Sequence, residues 1–350
     1  MSKKPRIGIT LGDVNGIGPE VAVRAVLSER VLASCEPIVL APRELATEAI
    51  RRTGQRAVAA DDAGGTGIAA PDTIVCSADS HIPKPNIEPS QITAAAGSFA
   101  HDSLRRAIRL AQAGELDAIC TAPINKAALA AAGIGFPGHT EILADECGVD
   151  DFAMMLHLSA HALAALRSLL GGDAESPAGL AIAHVTLHTS IASVPQLLTR
   201  QSIVEKTGLV HNFLKQLGIA SPQIGICALN PHAGEDGLFG TEEIELIAPA
   251  VYEARQAGFD AHGPFPADTL IRRAILGEFH GVVAMYHDQG HIPVKLIGFD
   301  QAINVTLGIP IVRTSPTHGT AFDIAWQGVA NPSGMIEAVL LATGLAEKDS

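Results

Sequence analysis

The stretch GVVAMYHDQGHIPVKLIGFDQAINVTLGIPIVRTS, residues 281–315, poses the question on which the fold turns. It opens on the apolar, β-rich run GVVAMYH and later holds a second, AINVTL, the composition of strands buried on both faces. From residue 285 onward it also carries His287, Asp288, His291, Lys295, Asp300, Asn304 and Arg313. Buried strands hold few such groups, because each costs free energy unless it is hydrogen-bonded or paired. So many polar side chains on an apolar framework point to a site on which they converge.

Similar runs recur along the chain: RIGIT, PIVLA, DAICTAP, FAMML, GLAIAHVTL and QIGICAL. Between them lie helix-like stretches, PEVAVRAVLSERVL, SFAHDSLRRAIRLAQAGE, SVPQLLTRQSIVEKTGLVHNFLKQLG and TEEIELIAPAVYEARQAG. This alternation predicts an α/β fold with a largely parallel sheet flanked by helices. GTEE at 240–243 reads as a helix start with Thr241 as N-cap. DDAGGTGIAAPD (61–72) and LGGDAESPAGL (170–180) read as surface loops, and no internal repeat is visible.

At 350 residues the chain permits one large or two ordinary domains. Hydrophobic residues make up 47% and charged ones 17%, so there is much to bury. A formal charge of −13 argues against nucleic acid, whose phosphates need a basic face. No window approaches the roughly 18 apolar residues of a membrane span, and the opening MSKKPRIGIT runs into a strand without a signal-peptide core, so a cytoplasmic protein is expected. The five cysteines are scattered without a CxxC pair, which argues against a disulfide framework. If the ligand is an anion, so acidic a chain must gather positive charge locally; Lys295 and Arg313 are candidates.

Three of the fourteen histidines follow strand-like runs: His188, His232 and His287. Ligands of open α/β sheets bind at the carboxyl ends of strands, so these three could meet in one crevice. Three neutral imidazoles suit a divalent metal with a position left for substrate. Spacing alone leaves open the plainer reading of three separate hydrogen-bonded histidines. Asp268, in GPFPADTLI, and Asp288, beside His287, are either turn caps or carboxylates that contact substrate or act as base. GHTE (138–141) offers either an anion-friendly helix start or an ordinary N-cap at Thr140. GDVNGIGPE (12–20) is a glycine-rich strand-to-helix turn without the GxGxxG spacing. Lys126, in APINKAAL, opens another helix.

The segments ITLGDVNGIGPE, TAPINK, FPGHTEILA, LNPHAGEDGLFGTEEI, GPFPADTL, AMYHDQGHIPVK and NVTLGIPIVRTSPTHGTAFDIA, in that order, resemble the PdxA family of 4-hydroxythreonine-4-phosphate dehydrogenases. The resemblance implies a two-domain α/β fold like that of isocitrate and isopropylmalate dehydrogenases, with an active-site cleft between the domains. Residues 1–145 with 310–350 would form a terminal domain carrying most of the NAD site. Residues 146–309 would form a central domain with the metal ligands and the dimer interface. The metal ligands fall on His188, His232 and His287, with His287 expected from the partner subunit of a homodimer whose sites are completed across the interface. Zn2+, Mg2+ or Co2+ would bind there, one per site. Substrate positions fall on His139, Thr140, Lys295, Asn304 and Arg313, and acidic positions beside the metal on Asp268 and Asp288. HGTAFDIAWQGVANP (318–332) resembles the cofactor loop of isopropylmalate dehydrogenases, which assigns NAD or NADP to His318, Gly319, Thr320 and Asn331.

The implied chemistry is oxidation of a small 4-phosphorylated 3-hydroxy acid, with decarboxylation, in pyridoxine biosynthesis. The implied substrate is 4-phosphohydroxy-L-threonine. The alternatives are D-threonate or D-erythronate 4-phosphate, or the unphosphorylated cis-dihydrodiol of terephthalate. A non-catalytic metal- or nucleotide-binding protein is the alternative of another class. Val14-Asn15, Pro316-Thr317 and a longer segment between FAMML and GLAIAHV depart from the family wording, which bears on substrate identity.

Overall fold

A computed structural model describes residues 3–62, 72–173 and 179–347. The chain forms two compact units, Met1–Asp150 with Ile309–Ser350, and Asp151–Gly308. The first unit begins with β1 (Arg6–Thr10), α1 (Gly18–Val26), α2 (Glu29–Ser34), β2 (Glu36–Val39), α3 (Arg43–Thr53), β3 (Val58–Asp61) and β4 (Thr73–Cys76). It continues through α4 (Ala94–Gln112), β5 (Ala118–Thr121), α5 (Lys126–Ala131) and α6 (His139–Cys147). The second unit runs β6 (Ala153–Leu158), α7 (Ala160–Leu169), β7 (Leu180–His184), α8 (Val194–Leu197), α9 (Arg200–Gln216) and β8 (Gln223–Cys227). Then come α10 (Ala248–Gln256), β9 (Asp260–Phe265), α11 (Ala267–Ile275), β10 (Gly281–Ala284), α12 (His287–Gly298) and β11 (Ile303–Leu307). The chain returns to the first unit with β12 (Arg313–Pro316) and α13 (Ser333–Ala346).

In the first unit the strand order is β3-β4-β2-β1-β5-β12, with every described pair parallel. Ile7, Ile9 and Ile119 are fully buried, as the continuous apolar runs require of a sheet covered on both faces. Helix α4 starts where the Thr93 side chain accepts from Ala96 N. It buries Ala96, Phe99, Ala100, Leu104, Ala107 and Ile108, a stripe of helical period. Leu104 and Ile108 join Ile38, Leu40, Ile119 and Ile142 in one apolar cluster. Each such side chain contributes about 1.5–3 kcal/mol when removed from water.

In the second unit the order is β11-β6-β7-β10-β8-β9. β11, β6 and β7 pair antiparallel, whereas β7, β10, β8 and β9 run parallel. Leu156, Leu180, Ile182, Leu270, Val282 and Val294 form the core.

Several sequence expectations need correction. PEVAVRAVLSERVL is two helices, α1 and α2, and 193–218 is broken at Leu198, whose ψ of 132° is extended. The chain restarts at Thr199, which forms a capping box with Ser202. Thr241 caps nothing with its side chain, because the helix before α10 begins in π geometry at Glu243 with Glu242 in the N-cap position. The short strands β3, β4, β9 and β12 lie outside the predicted set. The segment HDQGHIPVKLIG, between two of the expected strands, is helix α12, and only GVVA of GVVAMYH is strand. Helix α7 occupies the longer segment before β7, its buried Arg167 donating to the Ile275 carbonyl at 2.6 Å. Residues 63–71 and 174–178, within the two expected surface loops, lie outside the described residues. Among the described residues no helix is long and apolar enough to cross a membrane, and all five cysteines are free.

Candidate active site

In the second unit, β7 and β10 are parallel neighbours with His184 opposite Ala284. Val185 N donates to the Ala284 carbonyl at 2.9 Å and Thr186 Oγ1 to the Met285 carbonyl at 2.8 Å, so the pairing continues past both strand ends. The two chains therefore deliver His188 and His287 side by side, with ring centroids 6.1 Å apart. They open on a cavity of about 440 Å³ whose lining includes Thr189, Ser190, Tyr286 and Asp288. His287 Nδ1 lies 2.7 Å from Asp288 Oδ1. A carboxylate oxygen there accepts a hydrogen bond from Nδ1–H and leaves the Nε2 lone pair for a cation. Gln289 fixes the start of α12: its Oε1 accepts from Met285 N and its Nε2 donates to the Ala228 carbonyl, both at 2.7 Å.

His232 follows β8, the other neighbour of β10, yet stands apart from this pair. Residues 232–236 run through the left-handed region, with φ of 53° at His232 and 52° at Asp236. Non-glycine residues pay about 1–2 kcal/mol each for that conformation, so something must hold the turn. Glu243 does so: its Oε1 accepts from Leu229 N and Asn230 N, both at 2.8 Å, and its Oε2 from Asn230 Nδ2 at 3.0 Å. The His232 side chain is 72% exposed, 3.2 Å from Glu235 Oε2 and edge-on to Phe239. Among the described residues of one chain, no three His, Cys, Asp or Glu side chains gather around a common point. His287, which the resemblance assigns to a partner, stands beside His188 in a single chain; His232 is the outlier.

Asp268 lies in the first turn of α11, exposed, its Oδ1 accepting from Thr269 N at 2.8 Å; the N-cap position is held by Pro266, without a side-chain cap. Lys295 is exposed in the last turn of α12. His287, His291 and Lys295 recur every fourth residue and so share one face of that helix. Asn304 sits in β11 opposite Leu156, its Oδ1 buried without a partner.

The first unit gathers a second group around Thr121, at the carboxyl end of β5. Arg313 is 1% exposed, and its Nη2 and Nε donate to Thr121 Oγ1 at 2.7 and 3.1 Å. Burial lowers the guanidinium to about 10, still charged at neutral pH. His139 opens α6, with Gly138 rather than Thr140 in the N-cap position, and Thr140 follows half-buried. The His139 ring bonds to the Ala122 backbone, and its Nε2 is enclosed without a partner. Burial first, then the nearby Arg313 charge, hold that ring well below the usual imidazole range, so it is neutral.

The glycine-rich turn 12–18 is built against its surroundings. A Cβ at Gly12, whose φ is +63°, would meet the Pro123 carbonyl at 2.1 Å, and one at Gly16 would meet Thr320 at 2.7 Å. Ile17 N donates to the Thr320 carbonyl at 2.9 Å, Trp326 Nε1 to the Val14 carbonyl at 2.7 Å, and Trp326 N to Glu20 at 2.7 Å. The turn thus anchors the loop 318–332 expected to hold cofactor. Within that loop His318 Nε2 is buried without a partner, Gly319 is open, and Asn331 Oδ1 accepts from Ser333 N at 3.0 Å ahead of α13. An enclosed acceptor or donor with no protein partner fits a polar ligand there. Likewise His188 and His287 are imidazole donors of the type a divalent cation takes.

Sequence reasoning missed Thr121, Tyr286 and His184, and gave His291 no role of its own. The last two carried a signal, since HVTLH and HDQGH each place two histidines four residues apart.

The chain is 41% identical over 349 residues, 98% of each chain, to the D-threonate 4-phosphate dehydrogenase of Cupriavidus necator. It is 40% identical over 344 residues to the 4-hydroxythreonine-4-phosphate dehydrogenase of Beijerinckia indica, covering 97% of this chain and 94% of the relative. The solved 4-hydroxythreonine-4-phosphate dehydrogenase of Burkholderia phymatum superposes with a TM-score of 0.81 at 41% identity, covering 98% of this chain and 99% of the other. The family described as pyridoxal phosphate biosynthetic protein PdxA matches residues 33–342, and the chain belongs to that family.

Proposed function

We propose that this protein is an NAD-dependent dehydrogenase that oxidises the 3-hydroxyl of a 4-phosphorylated 3-hydroxy acid, with loss of CO2, at a divalent-metal site. The observation that carries the reading is the joint presence of the His188–His287 pair at a cavity and a buried, oriented Arg313 charge. The substrate we assign is 4-phosphohydroxy-L-threonine. The equally similar Cupriavidus relative supports D-threonate 4-phosphate as the second reading.

His188 and His287 of one chain would hold the cation, and His232 of a second copy would supply the third imidazole. This division differs from the one the resemblance suggested, and it follows the pairing seen within one chain. Exposed Ile292, Leu296 and Phe299 line one side of α12, an apolar stripe suited to burial in a homodimer. Bound there, a divalent cation would supply Lewis acidity toward the reacting hydroxyl, and NAD+, held by the loop 318–332, would supply the hydride acceptor.

The chain's own residues do the rest. Arg313, held by Thr121, supplies a buried positive charge for an anionic group. Neutral His139, with Nε2 unpartnered, accepts a hydrogen bond from the substrate, while Thr140, Lys295 and Asn304 supply further polar contacts. Asp288, on the cavity wall, is better placed than Asp268 to take the hydroxyl proton.

The test is NADH formation with both phosphorylated substrates and an unphosphorylated cis-dihydrodiol, with and without chelator. Turnover of a phosphorylated substrate that chelator abolishes is expected. Turnover of the dihydrodiol alone, or activity indifferent to chelator, would overturn the reading.

A further inference from the structure

The cavity histidines continue inward as a chain of imidazoles within the second unit. The His291 ring lies parallel to that of His287, with centroids 3.6 Å apart and 11° between planes. His291 Nδ1 is 3.2 Å from His184 Nε2 and 3.2 Å from the His287 carbonyl. His184 Nδ1 in turn lies 3.4 Å from the Met154 carbonyl. His184 and His291 are 1% and 7% exposed. A hydrogen bond between two ring nitrogens needs one donor and one acceptor, so a single proton lies between His291 Nδ1 and His184 Nε2.

The position of each proton follows from what its neighbours can do. A carbonyl only accepts, so the His184 proton is on Nδ1, facing Met154. His184 Nε2 then has a lone pair and requires a donor, which is His291 Nδ1–H. The His287 carbonyl requires the same donor. Every contact agrees on one assignment, with both rings in the Nδ1–H form.

The backbone is shaped for this contact. A Cβ at Gly290 would come within 2.4 Å of His184 Nε2 and 2.8 Å of Ile182 Cγ2. Residue 290 sits in helix α12, where alanine has the higher propensity. Its glycine is explained by the approach of the His184 ring.

We propose that His291, anchored by His184, is a positioning residue that fixes the ring plane of His287 and so aims its Nε2 at the cation site shared with His188. Rotation of the His287 ring out of its plane would drive it into His291, which the bond to His184 keeps from yielding. The inference rests on the metal reading given above, and its test separates the two. Outer-shell partners of metal-binding histidines typically change metal affinity 10- to 100-fold.

Zinc affinity of the full-length protein is measured by competition with a chromophoric chelator. The variants are His291→Ala, His291→Phe, His184→Ala and Gly290→Ala, with His188→Ala and His287→Ala as references. His291→Ala is expected to weaken zinc binding about 10- to 100-fold. His184→Ala and Gly290→Ala should weaken it about tenfold although neither residue reaches the ion. His291→Phe should recover much of the loss, because a flat ring still stacks on His287. Nitrogen-15 spectra of the metal-free wild type are expected to show Nδ1–H tautomers at positions 184 and 291. Zinc affinity unchanged in His291→Ala and Gly290→Ala but lost in His287→Ala would overturn the positioning role and leave the metal reading intact. Affinity unchanged in His188→Ala and His287→Ala as well would overturn the metal reading itself. An Nε2–H tautomer at either buried ring would break the assignment even if a variant fails to fold.

Discussion

Replacing Arg313 probes the substrate side of the site. Its guanidinium is almost completely shielded, anchored on Thr121 Oγ1 at 2.7 and 3.1 Å, and lowered by burial to about 10. It therefore stays charged at assay pH, in a medium where a bond to an anion is stronger than in water. Losing one charge-assisted hydrogen bond costs about 1.5–3 kcal/mol, which corresponds to a rise in KM of roughly 10- to 150-fold. Arg313→Ala should show that rise for the phosphorylated substrate. Thr121→Val leaves the charge but removes one of its anchors, so a loss of about 0.5–1.5 kcal/mol, or roughly 2- to 10-fold, is expected. Arg313→Lys, which lacks the planar fork, should fall between them. Initial-rate measurements of NADH formation give KM and kcat separately, and thermal unfolding controls for folding. An unchanged KM in folded Arg313→Ala would refute the assignment of this charge to the anionic substrate.

Other perturbations test the framework. His157 in β6 is 5% exposed, its Nδ1 has no partner, and burial lowers it to about 4 from the ordinary 6.5. Above pH 6.5 both folded and unfolded states hold it neutral. As pH falls from 6.5 towards 4 the unfolded state takes up a proton that the folded state refuses, so about 3 kcal/mol of stability is lost across that window. Urea unfolding at pH 7 and pH 4.5 should show a shallower acid loss in His157→Gln, and an identical loss would contradict this. Glu243→Ala strips acceptors from Leu229 N and Asn230 N and should cost about 1–3 kcal/mol, with zinc affinity falling as the His232 turn loosens; Glu243→Gln should be milder. A Cβ at Gly97 in α4 would sit 2.1 Å from the Ala128 carbonyl of α5, so Gly97→Ala should lower stability by about 1–3 kcal/mol in the same unfolding assay.

The strands that could be read from sequence are those with enough apolar residues to be buried on both faces, such as RIGIT and GVVA. VAAD, DAHGPF and RTSP are too short or too polar to read as strands alone, and they form because a neighbouring strand offers its hydrogen bonds. Helix α12 was hidden by Gly290, Pro293 and its histidines, residues that weaken the helical pattern. The nearness of His188 and His287 was legible as two histidines beyond two strands. That those strands are neighbours is a matter of topology, which local sequence does not encode. The separation of His232 depends on a left-handed turn held by Glu243, thirteen residues beyond Asn230. No local pattern announces such a turn.

The most direct measurement is subunit complementation. His188→Ala protein is mixed under exchange conditions with His232→Ala protein and, separately, with His287→Ala protein, and zinc content and NADH formation are followed. With His188 and His287 from one chain and His232 from the other, the first mixture regains one complete site per heterodimer and the second regains none. Recovery in the His188→Ala with His287→Ala mixture, and none in the other, would contradict this arrangement.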